Sequence, residues 1–537
     1  MSLHGASAHR NLRVCLFRKV HTCASLSDRF GIDIRRTKDW LRRRASSGGD
    51  LDRKQLQRYG EELDKETRGR WIVEELTTDL PGLTTGTVIL DSVRTKEQVE
   101  LLREAFGPIV THVHLTASRT ELERRFEVRR TRNNRELATY DVVRQSRTEQ
   151  QVDSLKSIAD IVIDTERCTT ADVLVRAASH LRFMRIHSEG YVDVLIGGQY
   201  GSEGKGQIAA YIAKEYDLLV RVGGPNAGHT VPGGPESYTH HLLPSGTRKS
   251  QARLLLGPGT VIDLETLLKE ISDCGVDADR LSIDPKAMMI SERDRDAEAR
   301  LVSSISSTGR GVGSATARRI MGRGEPDLKL ARDVPELRPY LRDAERVLDE
   351  ALARNQRILL EGTQGTGLSL YHGDYPYVTS RDTTVAGCLA EAGIPPSRVR
   401  KVIMVCRTYP IRVQNPEGGT SGPMTQELTL GDIAKRSGKD SEELERTEIT
   451  STTRRKRRIG EFDWVLLRRA ALLNGPTDIA LTFTDYLSAR NEKAKRFEQL
   501  EPETISFIHE VERVAGARVS LIATGFSARS IIDRRSW

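Results

Sequence analysis

Two glycine-rich turns hold the residues best placed to do chemistry. Between Val194 and Thr230 the chain reads VLIGGQYGSEGKGQIAAYIAKEYDLLVRVGGPNAGHT. An apolar run enters the first turn, a helical pattern follows, and a second apolar run breaks into the second turn. This predicts strand, phosphate loop, helix, strand, loop. Gly197, Gly198, Gly201, Gly204 and Gly206 let the backbone approach a polyphosphate closely, and Lys205 falls where the helix begins with its positive dipole end. The spacing is not Walker A, because that pattern needs glycine where Gln199 stands.

Four further motifs follow in order: SSTGRGVG from Ser306, EGTQGTGLSLYHGDYPYVTS from Glu361, ITSTTRRKRRIGEFDW from Ile449 to Trp464, and TFTD at Thr482 to Asp485. In isolation RRKRR reads as a nucleic-acid or localisation patch. Guanidinium forks suit carboxylates as well.

Taken together, GGQYGSEGKG and VGGPNAGHT resemble the two leading motifs of the adenylosuccinate synthetases, whose first loop usually reads GQWGDEGKGK. The resemblance covers nearly everything from Tyr191 onward and is similar to the short form of the family. It implies that L-aspartate is joined to C6 of a purine after a nucleoside triphosphate phosphorylates the 6-oxygen, with most of the rate coming from positioning and charge stabilisation. Lys205 and the amides of Gly201, Gly204 and Gly206 then hold the phosphoryl group, with Glu203 in the same loop. His229 matches the histidine that assists phosphorylation as a general acid. The purine monophosphate falls to Asn226, Thr308, Gln364 and Thr379, and aspartate to Thr452, Thr453, Arg455 and Arg457. Asp485 would read the base of the triphosphate, with GTP the first expectation and ATP the second. The cofactor implied is Mg2+, for which the carbonyl of Gly228 is the matching ligand. The resemblance also implies a homodimer, with the arginine lent to a neighbouring subunit ambiguous among Arg318, Arg319 and Arg323.

Three positions depart from the family pattern. Ser202 stands where the family has its catalytic aspartate, which resembles the phage succinoaminodeoxyadenylate synthetase branch. A serine cannot remove the N1 proton of a purine as a carboxylate does, but it leaves room for an exocyclic 2-amino group. The expected substrate is therefore GMP or dGMP, in place of IMP or alongside it. The ordinary reaction on IMP, with Glu203 or water as base, is the other reading. A nucleotide-sensing protein without catalysis is a third, against which stand Lys205, His229, Gln364 and the arginine loop. Phe483 replaces a lysine expected to cover the base of the triphosphate, and Arg454 replaces a glycine.

The elements ahead of Tyr191 alternate as strand and helix and imply a second parallel sheet. LRVCLF from Leu12 reads as a buried strand, Leu56 to Leu76 as a helix, Val88 to Phe106 and Ile109 to Arg130 each as strand, turn and helix, and ADIVIDT from Ala159 as a late strand. This segment resembles the P-loop nucleoside monophosphate kinases through LDSVR and the arginine-rich RRFEVRRTRNN. Arg18 to Phe30, where a phosphate loop belongs, contains no glycine. A domain over 1–182 that is not an active kinase, and that serves as a nucleotide-sensing or dimer-building module or as inert packing, is followed by a ligase domain over 190–537. SSGG at Ser46 to Gly49 reads as a surface loop. The fold class is α/β, two P-loop-like parallel-sheet domains.

Composition agrees with that reading. The 537 residues are 37% hydrophobic and 29% charged, which argues against disorder and membrane insertion. No apolar run approaches the length of a membrane span and no signal core opens the chain, so a cytoplasmic protein is expected, with no membrane partner and no nucleic acid. The net charge of +8 suits anionic small molecules. Six scattered cysteines imply reduced thiols and no cysteine metal site.

Overall fold

In a computed structural model the chain divides into two compact units, Met1–Ile186 and His187–Trp537. The structure describes residues 13–17, 20–45, 53–84, 86–133, 140, 154–181, 183, 190–233, 237–415, 418–449, 455–527 and 529–535. The SSGG segment, Thr452 and Thr453 lie outside them.

The first unit carries five parallel strands, β1 (Arg13–Phe17), β2 (Asp33–Arg36), β3 (Thr87–Asp91), β4 (Val110–Thr116) and β5 (Ile161–Asp164), in the order β2-β3-β1-β4-β5. Val14 and Leu16 of β1 enter one buried cluster and Cys15 the other, so both faces of the sheet are covered. The helix Val20–Phe30 begins three residues after β1. The single helix expected over Leu56 to Leu76 is instead two, Arg53–Thr67 and Trp71–Asp79. Arg68 and Gly69 between them take φ of 51° and 81°, a left-handed pair that ends one helix and redirects the next. Trp71 Nε1 then donates to Asp64 Oδ1 at 2.7 Å, tying the second helix back to the first.

The second unit is built on a nine-stranded sheet. Its strands are β6 (Val192–Gly197), β7 (Leu218–Arg221), β10 (Arg253–Leu256), β12 (Leu281–Ile283), β14 (Ile358–Glu361), β15 (Val399–Arg407), β19 (Asp478–Thr482), β20 (Arg518–Ala523) and β21 (Ile531–Asp533). The order is β12-β10-β7-β14-β6-β15-β19-β20-β21, parallel throughout except for β20 against β21. Val192, Val194 and Ile196 face one core cluster while Leu195 faces the other. Such two-sided burial explains why β6 reads as a continuous apolar run, each large side chain contributing about 1.5–3 kcal/mol. Three small sheets complete the unit: the hairpin of β8 (His229–Val231) and β9 (Tyr238–His240), the pair β11 (Val261–Ile262) and β13 (Met288–Met289), and an antiparallel trio of β16 (Ile411–Val413), β17 (Glu427–Leu428) and β18 (Arg457–Gly460). The strand order reverses about β6, whose neighbours β14 and β15 come much later in the chain. Loops leaving the carboxyl ends there open a crevice, the usual place for a ligand in such a sheet.

Among the described residues no helix is long and apolar enough to cross a membrane. All six cysteines are free thiols, with Cys15, Cys23, Cys388 and Cys406 buried.

Candidate active site

One cleft at that crevice brings together most of the residues singled out in the sequence. Gly201, Ser202, Lys205, Asn226, Gly228, His229, Thr308, Gln364, Thr379, Arg455 and Arg457 all line it. They come from five separate loops, and sheet order is what makes them neighbours.

The first loop leaves β6 and enters the helix Lys205–Ile212, whose first residue is preceded by Gly204 with no side-chain cap. Its amide ends are therefore open to a ligand. Gly201 and Gly204 take φ of 85° and 87°, and Ser202 takes 56°, a conformation that side chains rarely adopt. The turn leaves Ser202 exposed in the cleft and sends Glu203 inward, wholly buried. Glu203 accepts from the amides of Gln199 at 3.1 Å and Gly201 at 2.7 Å and pairs with Lys205 at 2.6 Å. Neither of its expected roles fits that placement: it shapes the loop and does not face a purine as a base or contact. Gly197 and Gly365 wrap this carboxylate so closely that a Cβ on either would meet it within 2.8 Å. Gly206 is likewise packed against β8 and does not line the cleft.

His229 opens β8, and its Nδ1 lies 2.5 Å from Oε1 of Glu361. That contact assigns the ring proton to Nδ1 and leaves Nε2 for a ligand. Glu361 ends β14 directly opposite Arg221 in β7, and the two pair at 3.1 Å. Ser245 adds its amide at 2.8 Å and its hydroxyl to the same carboxylate. Burial pushes the imidazole well below the ordinary histidine range, the Arg221 charge acts in the same direction, and the Glu361 bond opposes them. For Glu361 burial would raise the pKa, but the Arg221 charge and the bonds from His229 and Ser245 outweigh it and hold the group ionised. Arg221 and Glu361 were not singled out in the sequence. The available signal was a charge of each sign inside an otherwise apolar strand, immediately before a glycine-rich turn.

Beside this pair lies a polar floor. Asn226 Nδ2 and Gln364 Nε2 each reach the Thr379 hydroxyl at 3.4 Å, and Asn226 Oδ1 is buried without a partner. Thr308 closes the far side through the loop before the helix Val312–Met321. Two residues missed in the sequence, Tyr200 and Arg412, form the wall above, the guanidinium 3.8 Å from the ring centre. Arg412 is further fixed by the Ser421 carbonyl at 2.8 Å and Asp374 at 2.9 Å.

Across the cleft Arg455 and Arg457 enter from the start of β18, Arg457 held at 2.6 Å by Glu448. Asp485 does not line this cleft. It is buried, its Oδ2 pairs with Lys439 at 2.9 Å, and its Oδ1 has no partner. Burial pushes its pKa up and the Lys439 bond opposes that. Phe483, which stands in place of the lysine expected to cover a nucleotide base, lies under Arg407, whose guanidinium is 3.9 Å from the ring centre. The loop after β20 is anchored to the phosphate-loop helix, since Gln207 Nε2 donates to the carbonyls of Gly525 and Ser527, both at 2.9 Å. Of the three arginines expected to serve a neighbouring subunit, Arg318 pairs with Asp294 at 2.6 Å, Arg319 donates to the Pro258 carbonyl at 2.8 Å, and Arg323 is exposed.

No three histidine, cysteine or carboxylate side chains cluster as a metal site among the described residues. The cleft offers neutral oxygens, the Ser202 hydroxyl and the Gly228 carbonyl. Such a donor set fits a hard cation that arrives on a triphosphate and keeps water in its shell, as Mg2+ does.

Comparison with known proteins agrees with this geometry. The adenylosuccinate synthetase family model matches residues 194–332 and 328–492. The adenylosuccinate synthetase of Methanocaldococcus jannaschii is 38% identical over 352 residues, covering 64% of this chain and 96% of the relative. That of Pyrococcus horikoshii is 37% identical, covering 64% and 98%. Among solved structures, the succinoaminodeoxyadenylate synthetase of cyanophage S-2L, bound to dGMP and to dATP as an energy donor, superposes with a TM-score of 0.54 at 30% identity, covering 65% of this chain and 96% of that one. The fold is shared also with the fully ligated adenylosuccinate synthetase of Plasmodium falciparum, TM-score 0.55 at 24% identity, covering 64% and 100%. With the cleft and these relatives in agreement, the chain belongs to the adenylosuccinate synthetase family, and its His187–Trp537 unit is a carbon–nitrogen ligase of that family.

Proposed function

We propose that this ligase joins L-aspartate to C6 of a guanine nucleoside monophosphate, GMP or dGMP, using a nucleoside triphosphate. The observation that carries the reading is Ser202, exposed in the cleft in a left-handed conformation where the family pattern has a carboxylate. A short neutral side chain leaves space for the 2-amino group and brings no negative charge to the purine edge. The phage relative solved with dGMP supports the same choice.

In this scheme water takes the N1 proton as the 6-oxygen attacks the γ-phosphorus, the nucleoside diphosphate leaves, and the amine of aspartate, giving up a proton to water, then displaces inorganic phosphate from C6. Lys205 and the open amides of its helix hold the transferred phosphoryl group. The Asn226, Gln364 and Thr379 floor, with Thr308 opposite, takes the monophosphate. Arg455 and Arg457 grip the aspartate carboxylates. Thr452 and Thr453, outside the described residues, are proposed for the same site. His229 is neutral in the free protein, for the reasons given above. An incoming polyanion beside Nε2 favours its protonated form, and the Nδ1 bond to Glu361 stabilises the imidazolium once formed, so that Nε2–H donates to the 6-oxygen. Ser202 and Gly228 would help to hold Mg2+ that arrives with the triphosphate, and the ion would supply neutralisation of phosphate charge. Asp485, one oxygen held by Lys439 and the other without a partner, can meet the amino group of adenine or the two donors of guanine, so GTP and ATP are both offered in the test. A homodimer, with Arg323 as the free arginine, belongs to the same proposal, as does a first unit that does not phosphorylate.

The archaeal relatives, at 37–38% identity, favour a second reading in which IMP is the substrate. A mass-spectrometric product assay decides between them, with aspartate, magnesium and either GTP or ATP offered to IMP, GMP, dGMP and dIMP in turn. A succinyl adduct on guanine nucleotides and not on hypoxanthine nucleotides is the expected result. An adduct on IMP alone would establish the second reading.

A further inference from the structure

Glu448 lies outside the cleft, yet three parts of the ligase meet on its carboxylate. It follows the helix Ser441–Thr447 and is 3% exposed. Oε1 accepts from Arg407 Nη2 at 2.7 Å and from the Tyr486 hydroxyl at 2.8 Å, and Oε2 accepts from Arg457 Nη1 at 2.6 Å.

Each donor belongs to a different element with a different task. Arg457 begins β18 and lines the cleft where aspartate is proposed to bind. Arg407 ends β15 and is fully buried; it lies 3.9 Å over Phe483 and donates to the Ser202 carbonyl at 3.5 Å. Tyr486 closes the short turn Thr484–Tyr486 that contains Asp485. A single buried carboxylate thus ties together the proposed amino-acid grip, the arginine that ends β15, and the turn beneath the proposed base site of the triphosphate. Nothing about packing requires this convergence. An apolar side chain would fill the volume without the cost of burying a charge, and a carboxylate kept here must hold its partners in one geometry. The Nε atoms of Arg407 and Arg457 are buried without partners, so the bonds to Glu448 carry much of the orientation of both guanidinium groups.

We propose that Glu448 is the positioning residue that links the aspartate site to the triphosphate site, presenting Arg457 to one and, through Tyr486, bracing the Asp485 turn for the other. The proposal rests on the ligase reading above. It makes a selective claim: the two substrates that depend on Glu448 should feel its loss, and the purine monophosphate, held by Asn226, Gln364, Thr379 and Thr308, should not.

The test is Glu448→Gln, which keeps shape and removes charge, with steady-state constants for each substrate and calorimetric binding of L-aspartate in the presence of the monophosphate. A charge-assisted bond of this kind accounts for about tenfold or more in binding. The expected result is KM for aspartate raised about tenfold or more, KM for the triphosphate raised about threefold, and KM for the monophosphate changed less than about twofold. In an Arg457→Lys background the aspartate effect of Glu448→Gln should largely disappear, since both changes remove one interaction. Tyr486→Phe, which deletes one donor and leaves the carboxylate paired, should raise KM for the triphosphate alone and keeps the test open should Glu448→Gln not fold. Equal aspartate binding by wild type and Glu448→Gln, additive effects with Arg457→Lys, a rise in all three constants together, or no change in Tyr486→Phe would overturn the proposal. Should the wild type bind aspartate and release no succinyl product from any purine, the ligase reading fails separately, and the binding comparison still judges Glu448.

Discussion

The two ends of the cleft are held by different means. At the phosphoryl end the groups hang from the central sheet itself: Arg221 and Glu361 are cross-strand partners in β7 and β14, and His229 is fastened to them at 2.5 Å. At the proposed amino-acid end Arg455 precedes and Arg457 begins β18, the middle strand of a small antiparallel sheet, and Arg457 is referred to the rest of the unit through Glu448. The first end is preorganised by the same strand pairing that makes the fold, and the second by side chains that reach across loops. Damage to the Arg221–Glu361 strand pair should therefore appear as lost chemistry and lost stability together, and damage to the second end as weakened binding with folding retained.

The comparison is tested most severely at Glu361. Replacing it with alanine leaves Arg221 as a buried charge without its carboxylate, a change that costs about 3–5 kcal/mol. The expected outcome is a large drop in melting temperature together with loss of turnover. His229→Ala separates the two effects, because the Glu361 pairing with Arg221 and Ser245 survives. Its kcat should fall about 10²–10⁴-fold with a melting temperature close to wild type. A variant that melts early and still turns over would break the claimed link between sheet and chemistry.

At the other end, Arg457→Lys should raise KM for aspartate about tenfold or more while kcat and melting temperature change little, since an ammonium cannot reproduce the fork of a guanidinium. Ser202→Asp sharpens the comparison from within the phosphoryl end. It restores a carboxylate to the purine edge, and the ratio of kcat/KM for IMP over GMP should rise about tenfold, close to the discrimination that one altered polar contact in a pocket provides. An unchanged ratio would mean that Ser202 does not choose the purine.

What the sequence made legible was local. The phosphate loop, its helix and the residues at its rim announce themselves through glycine spacing, because tight turns demand glycine wherever the protein happens to fold. Pairings between distant strands leave no such mark. Arg221 and Glu361 are 140 positions apart, and sheet order alone makes them neighbours. Glu203 shows the converse, a residue in the most recognisable motif whose role was misread. Its backbone sits between Ser202 and Gly204, both left-handed, and that geometry turns its side chain away from the cleft and onto the loop amides. The break at Arg68 and Gly69 was missed for a related reason: the apolar period runs across it, and the chain changes direction by φ, not by composition.

The smallest effect expected is also the one that reaches both units. His240 in the ligase unit and His112 in the first unit are buried, with pKa values lowered to about 3 and about 4, burial being the main cause in each. Arg221 and Arg248 add to the shift at His240, and His114 and Arg103 at His112, against the opposing charges of Glu361 and Asp160. Each histidine is therefore neutral in the folded protein and titrates near its ordinary value when unfolded. Below about pH 6.5 the unfolded chain takes up protons that the folded chain does not, so stability is fully present above that pH and declines as pH falls toward the folded values. Between pH 7 and pH 5.5 each such group should remove about 1 kcal/mol. Melting curves across this range should show both units losing stability together, and His240→Leu should flatten the slope for the ligase unit alone. If the segment around His240, whose carbonyl accepts from Arg221 at 3.3 Å, opened to water on protonation, replacing the histidine would leave the slope unchanged.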